Sequence, residues 1–256
     1  MIAAASLVAG VISTQAQVYS QNIVGYVNLP LGGNISSFSL PLDLAAGNTL
    51  TNIFPNPYSA AAGQGPLDGD QVYIWNGAGF HILTLDSTLS TGLGDAGDTD
   101  GVAQPVPTIN PGTLIYFANV YTAITNTIVG TVHVDFAATG SQTVGTTTNI
   151  VPGNLQFVSS KLPIAGGVSS VLGLTNVYSA AAGQGPLDGD QVYTPIITAG
   201  GALHGYNIVT FDSTLRTGFG DAGDIDGKAV PEPVIPVGAG FLLDNVYTTL
   251  TWTQSL

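Results

Sequence analysis

Cysteine is absent from the 256 residues, which removes disulfides, thiolate nucleophiles and sulfur-ligated metals together. Positive charge is almost absent as well. Lys161, Arg216 and Lys228 are the only cations against sixteen acidic side chains, and the formal net charge is −13. Three cations cannot neutralise a run of phosphates, so nucleic acid and anionic membrane surfaces are poor partners, while metal cations are good ones. Charge of either sign is scarce, at 7% of residues against roughly a quarter in an ordinary soluble domain. Apolar stripes with a helical period are missing too. The three histidines, His81, His133 and His204, have no histidine at corresponding positions of the repeat described below. One imidazole per site without cysteine does not make the usual zinc or general-base sets, so no enzyme is expected.

What remains is an apolar chain (45%) rich in glycine, threonine, valine and proline. It is too hydrophobic and too weakly charged to be disordered. Its polar surface must therefore come from hydroxyls, amides and backbone. That composition suits a β protein packed in a matrix, glycosylated, or packed against copies of itself. Residues 1–16, MIAAASLVAGVISTQA, read as a secretory signal or as an apolar N-terminal arm. No later stretch reads as a membrane span, and the expected location is secreted or cell-surface.

The organising feature is a repeat. Residues 58–73, YSAAAGQGPLDGDQVY, recur letter for letter at 178–193, and 94–101 (GDAGDTDG) are matched by 220–227 (GDAGDIDG). The chain reads as a tandem duplication, with a first β repeat at 17–125 and a second at 126–256. Short β-branched runs separated by Gly, Pro and Asn turns predict an all-β fold of two sandwich- or barrel-like domains with long Asp/Gly-rich loops. Strands are expected at 23–27 and 128–132 as the openers of the two copies. Hairpins are expected around Asn76-Gly77 and, six residues longer, around 198–201. A short helix is expected at 49–54 with its counterpart at 169–174.

The order GYVN (25–28), FSLP (38–41), GDQVYIWNG (69–77) and GAGF (238–241) resembles a secreted bacterial β-repeat family whose modules carry GYVN, VYxWNG and PGxGF motifs. The resemblance implies secretion and a β fold, and it transfers no catalytic residue.

All acidic residues but Glu232 are aspartates, and most fall in equivalent pairs of the repeat. Aspartate offers hard oxygen ligands close to a turning backbone, which is what calcium loops require. The expected sites are Asp95, Asp98 and Asp100 in one copy and Asp221, Asp224 and Asp226 in the other. Asp68, Asp70, Asp188 and Asp190 are further contributors. The competing reading is a set of solvated Asx turns. Tyr58, Tyr73 and Trp75 also admit rings stacked on sugars, although Pro195 stands where a second Trp75 would be. Function is therefore expected to be that of an extracellular structural protein that self-assembles into a filament, sheath or surface layer, with Ca2+ in its loops. The alternative is a secreted carbohydrate-binding or adhesion module taking extracellular polysaccharide. The residues after the apolar leader, 17–26, read as an extended arm suited to donation to a neighbour.

Overall fold

The computed structural model describes residues 24–31, 34–54, 69–76, 79–86, 88–97, 100–119, 124–133, 145–150, 155–175, 177, 189–197, 203–223, 226–246 and 249–255. The first shared loop up to Asp68, its copy up to Asp188, the N-terminal leader, Asp98 and Asp224 lie outside the described residues.

The chain is all-β. In order it forms β1 (Val24–Leu31), β2 (Asn34–Ser39), β3 (Leu42–Asp43), one helical turn α1 (Leu50–Ile53), β4 (Gln71–Trp75), β5 (Phe80–Leu85), β6 (Leu93–Gly94), β7 (Leu114–Asn119) and β8 (Ile124–Val132). It continues with β9 (Gly145–Ile150), β10 (Gln156–Ser159), β11 (Gly166–Gly167), β12 (Gln191–Ile197), β13 (Leu203–Phe211), β14 (Phe219–Gly220), β15 (Val234–Ile235), β16 (Gly240–Asp244) and β17 (Leu250–Ser255).

Two five-stranded antiparallel sheets have the same internal order, β2-β7-β4-β5-β6 and β10-β16-β12-β13-β14. The identical Gln-Val-Tyr segments thus sit in the central strands β4 and β12. Each sheet buries one face under a smaller sheet. The first core lies between β1-β8-β3 and the first large sheet, and is built by Val27, Leu29 and Ile128 from one side and Val72, Leu83, Ile115 and Phe117 from the other. The second core collects Ile150, Leu250 and Trp252 against Val192, Val209, Phe241 and Leu243. Period-two alternation explains this arrangement, because side chains on a pleated strand point to opposite faces. It also leaves a second face on each large sheet. Leu114 and Tyr116 point away from the first core, and there the two large sheets meet back to back.

Two glycine turns fasten this seam. Gly112 and Gly238 have positive φ (83° and 73°) at the tight turns leading into β7 and β16, where an L side chain is strained. Each turn also touches the other half of the molecule. The Ser159 hydroxyl donates to the Gly112 carbonyl (2.6 Å), and the Ser39 N–H donates to the Gly238 carbonyl (2.7 Å). A Cβ on Gly238 would come within 2.8 Å of Leu29 Cδ2.

Three local expectations change. Residues 128–132 do not open a second sheet. They are the tail of β8, which pairs along its length with β1, as β17 pairs with β9. An Ile-Val-Gly run reads the same whether a strand opens or closes a unit, so the sequence pattern was blind to this. The 169–174 segment forms turns rather than a helix, closed by the Val171 and Leu172 N–H groups on the Gly167 carbonyl. Both segments are nevertheless capped from a closing strand. Asn126 Nδ2 donates to the Ile53 carbonyl in one half, and Trp252 Nε1 to the Leu172 carbonyl (2.6 Å) in the other. Finally, residues 24–26 of the expected free arm are part of β1 and pair within their own chain.

Candidate functional site

The acidic loops are anchored by buried hydroxyls. Thr84 on β5 is buried, its side chain surrounded by strand β4 and the turn after β6. Its Oγ1 donates to the Asp95 carbonyl (2.7 Å) and accepts from the Gly97 N–H (2.9 Å). Gln71 Nε2 approaches the same oxygen at 3.5 Å, and the Tyr73 hydroxyl donates to Gln71 Oε1 (2.8 Å). The second half repeats every link: Thr210 with Asp221 (2.9 Å) and Gly223 (2.9 Å), Gln191 with Thr210 (3.2 Å), and Tyr193 with Gln191 (2.9 Å). A Tyr-Gln-Thr relay therefore ties each acidic turn to the centre of its sheet.

The predicted ligands are not all gathered. Asp95 and Asp221 stand half-buried on those anchored turns, while Asp100 and Asp226 are exposed. Asp100 Oδ1 accepts the Val102 N–H (2.9 Å) and Asp226 Oδ1 the Lys228 N–H (3.0 Å), so each holds an Asx turn with one oxygen. Asp70 and Asp190 are fully buried at the strand starts. Their carbonyls accept the Leu85 and Phe211 N–H groups (2.8 and 3.0 Å), and Asp190 Oδ1 accepts the Val246 N–H (2.9 Å). Among the described residues, no three His, Cys, Asp or Glu side chains converge as a metal group. The anchored turns do fix the backbone at Asp95–Gly97 and Asp221–Gly223, and the Asx turns of Asp100 and Asp226 each use one carboxylate oxygen.

A fourth pair of aspartates caps its own turn. Asp86 Oδ1 accepts both the N–H and the hydroxyl of Thr88 (2.7 Å each), and Asp212 does the same for Thr214 (2.7 and 2.6 Å). The repeated Asp-Ser-Thr triplet was the signal for it.

Two polar clusters escaped the sequence reading. Asp43 holds His133 Nδ1 on Oδ2 (2.7 Å) and Asn48 Nδ2 on Oδ1 (2.9 Å), clipping β3 to β8. The lone glutamate, Glu232, accepts the Ser169 and Ser170 N–H groups on Oε1 (2.6 and 2.8 Å) and the Ser170 hydroxyl on Oε2 (2.7 Å). Burial raises its carboxyl, and the hydrogen bonds from Ser170 and Ser169 more than offset that, leaving it below its ordinary value. This carboxylate borders a cleft of about 470 Å³. Its oxygens are occupied by the turn it caps.

The seam between the large sheets opens into an aromatic groove of about 330 Å³. Tyr73, Phe80 and Tyr116 line it from one sheet, and Phe157, Leu203 and Tyr206 from the other. Phe80 stands edge-on to Phe157 (5.2 Å) and to Tyr116 (5.7 Å), and Trp75 packs on Phe157 at 4.8 Å. The Tyr116 and Tyr206 hydroxyls meet at 2.6 Å. Burial, then the Tyr206 hydroxyl, pushes the Tyr116 phenol far above its usual range. Tyr73 and Trp75, which the sequence admits as rings for sugars, pack here against Phe80, and Trp75 also against Phe157. Nothing local in the sequence announces the groove, because its walls come from two sheets whose juxtaposition is a tertiary event.

No family model, no curated protein and no solved structure matches this chain.

Proposed function

We propose that this chain is an extracellular structural protein that assembles with copies of itself, its acidic loops stiffened by calcium. The observation that carries this reading is the outer face of β1. Among the described residues β1 pairs with β8 alone, leaving an edge. Beside that edge Val24 (67% exposed), Tyr26 (72%) and Val129 (58%) project to solvent, with Tyr26 directly opposite Val129 in the ladder. Soluble proteins ordinarily guard such edges with lysine or other charges. This pair of strands has no charged residue at all. An uncharged edge offers main-chain groups and apolar side chains to an added strand.

Charge sets the condition for assembly. Copies carrying −13 each repel one another unless counter-ions gather at the acidic loops, and divalent calcium meets that need best. Secretion, expected from the apolar leader, supplies millimolar calcium. No described helix is long and apolar enough to cross a membrane.

Negative-stain microscopy and sedimentation of the purified chain in calcium test the reading. Polymers are expected, and Tyr26→Lys with Val129→Lys should leave a folded monomer. Monodisperse wild-type particles would refute self-assembly. If those particles also bound a glycan array, the carbohydrate-binding alternative would take its place.

A further inference from the structure

We propose that the aromatic groove between the two large sheets is a binding site for a small, uncharged, planar aromatic molecule carrying a hydroxyl group. Four features of the groove select that class.

The first is charge. The lining residues Ile35, Tyr73, Phe80, Tyr116, Phe157, Leu203 and Tyr206 carry neither a carboxylate nor a cation. A charged ligand would shed its water there without a counter-charge, at a cost no apolar contact offsets. In a chain with sixteen acidic side chains, this neutrality is a local property of the seam.

The second is shape. Phe80, Tyr116 and Phe157 stand mutually edge-on at 5.2 to 5.7 Å, which presents ring edges and faces at right angles. Such a corner suits a flat π-system, which gains both stacked and edge-to-face contacts.

The third is the polar inventory. A tyrosine hydroxyl has one proton and two lone pairs. In the Tyr116–Tyr206 pair one proton lies between the oxygens, so the pair still has one proton to donate and lone pairs to accept with. The Tyr73 proton is already given to Gln71. One ligand hydroxyl is matched by that supply. A pyranose buries several hydroxyls and would leave most of them without partners, so a sugar is the poorer fit.

The fourth is size. About 330 Å³ is near the lower end of small-molecule sites, room for one or two fused rings. Its rim includes the exposed side chains of Ile35 and Phe80, so the groove has a mouth. Because the walls come from both halves, the chain forms one such site despite its repeat. The position equivalent to Trp75 is Pro195, consistent with that asymmetry.

The test is titration calorimetry of the full chain with 2-naphthol. Saturable one-to-one binding is expected. Either of two plugging variants, Leu203→Trp or the surface-rim Ile35→Trp, should lower affinity at least tenfold while leaving the melting curve in place. Having two plugs guards against one of them misfolding. Wild type should prefer 2-naphthol over 2-methoxynaphthalene by about tenfold, the worth of one buried hydrogen bond. The double variant Tyr116→Phe with Tyr206→Phe should erase that preference. No saturable heat, binding indifferent to both plugs, or tighter binding of cellotetraose at the same groove would each overturn the proposal.

Discussion

Leu114 lies directly against Gly240 across the seam, and the two hold corresponding places, opposite Ser39 at the start of β7 and opposite Ser159 at the start of β16. A Cβ on Gly240 would overlap Leu114 Cδ1 and sit 3.1 Å from the Val158 carbonyl. Both sides of the seam cannot carry leucine at this point, so the two halves differ in size where they touch. Leu114→Ala should cost about 2–5 kcal/mol as a cavity variant, and Gly240→Ala about 1–3 kcal/mol by overpacking. The two should not add: the alanine on Gly240 fills part of the space the leucine vacates. Urea unfolding of both single variants and the double variant measures this coupling. Strict additivity would mean that the two residues are not in contact.

Thr84 and Thr210 each satisfy one carbonyl and one N–H of an acidic turn from within the sheet. Thr84→Val keeps the shape and removes the hydroxyl, leaving the Asp95 carbonyl and Gly97 N–H without that partner. A loss of about 1–3 kcal/mol is expected, with matching behaviour for Thr210→Val. Hydrogen exchange should show the loss first at Gly97 and Gly223. Unchanged protection there would mean that the turns are held by something other than these hydroxyls.

How much of this was readable beforehand depends on distance along the chain. The β4–β5 hairpin follows from alternation and its turn, and the repeat marked the acidic turns without any tertiary knowledge. The Asp86 and Asp212 turns were legible in the same way, since Asp-Ser-Thr folds on itself. What failed was anything decided across sheets. The sequence of 128–132 says strand but cannot say which neighbour it takes. Asp70 looks like a loop residue because turn formers surround it, yet it leads directly into a central strand and is fully buried. The aromatic groove needed Phe157 and Tyr206 brought to Phe80 from more than seventy positions away. Periodicity carries no information at that range.

Glu232 gives a pH signature with a definite sign. Its folded value lies below the ordinary 4.5, because Ser169 and Ser170 donate to the charged form. Its contribution to stability is therefore fully present above about pH 4.5 and is lost as pH falls through the lower folded value. Glu232→Gln should lower the urea midpoint at neutral pH, and the gap from wild type should close in acid. A gap that stays constant from neutral pH to acid would show that the charge is immaterial to the turn. Gly167→Ala should act in the same direction, since a Cβ there would collide with the Glu232 carboxylate and the Ser170 hydroxyl.

Calcium is the prediction on which the proposed assembly depends most. The anchored turns fix the backbone at Asp95–Gly97 and Asp221–Gly223 from beneath, through Thr84 and Thr210. Asp100 and Asp226 each commit one oxygen to a backbone N–H and keep the other. Carboxylates concentrated in such short segments repel one another, so a cation that relieves the repulsion stabilises the folded chain more than the unfolded one. At ten times its dissociation constant, a bound ion would contribute about 1.4 kcal/mol per site. Chelator should lower the melting temperature of wild type, and Asp98→Asn with Asp224→Asn should remove the response while leaving the fold intact. The Thr84→Val and Thr210→Val variants should weaken calcium binding without touching a carboxylate, because they release the curl of the loop. If melting ignores both calcium and chelator and calorimetry records no heat, the loops are solvated Asx turns. Assembly would then have to overcome a net charge of −13 per copy by apolar contact at β1 alone.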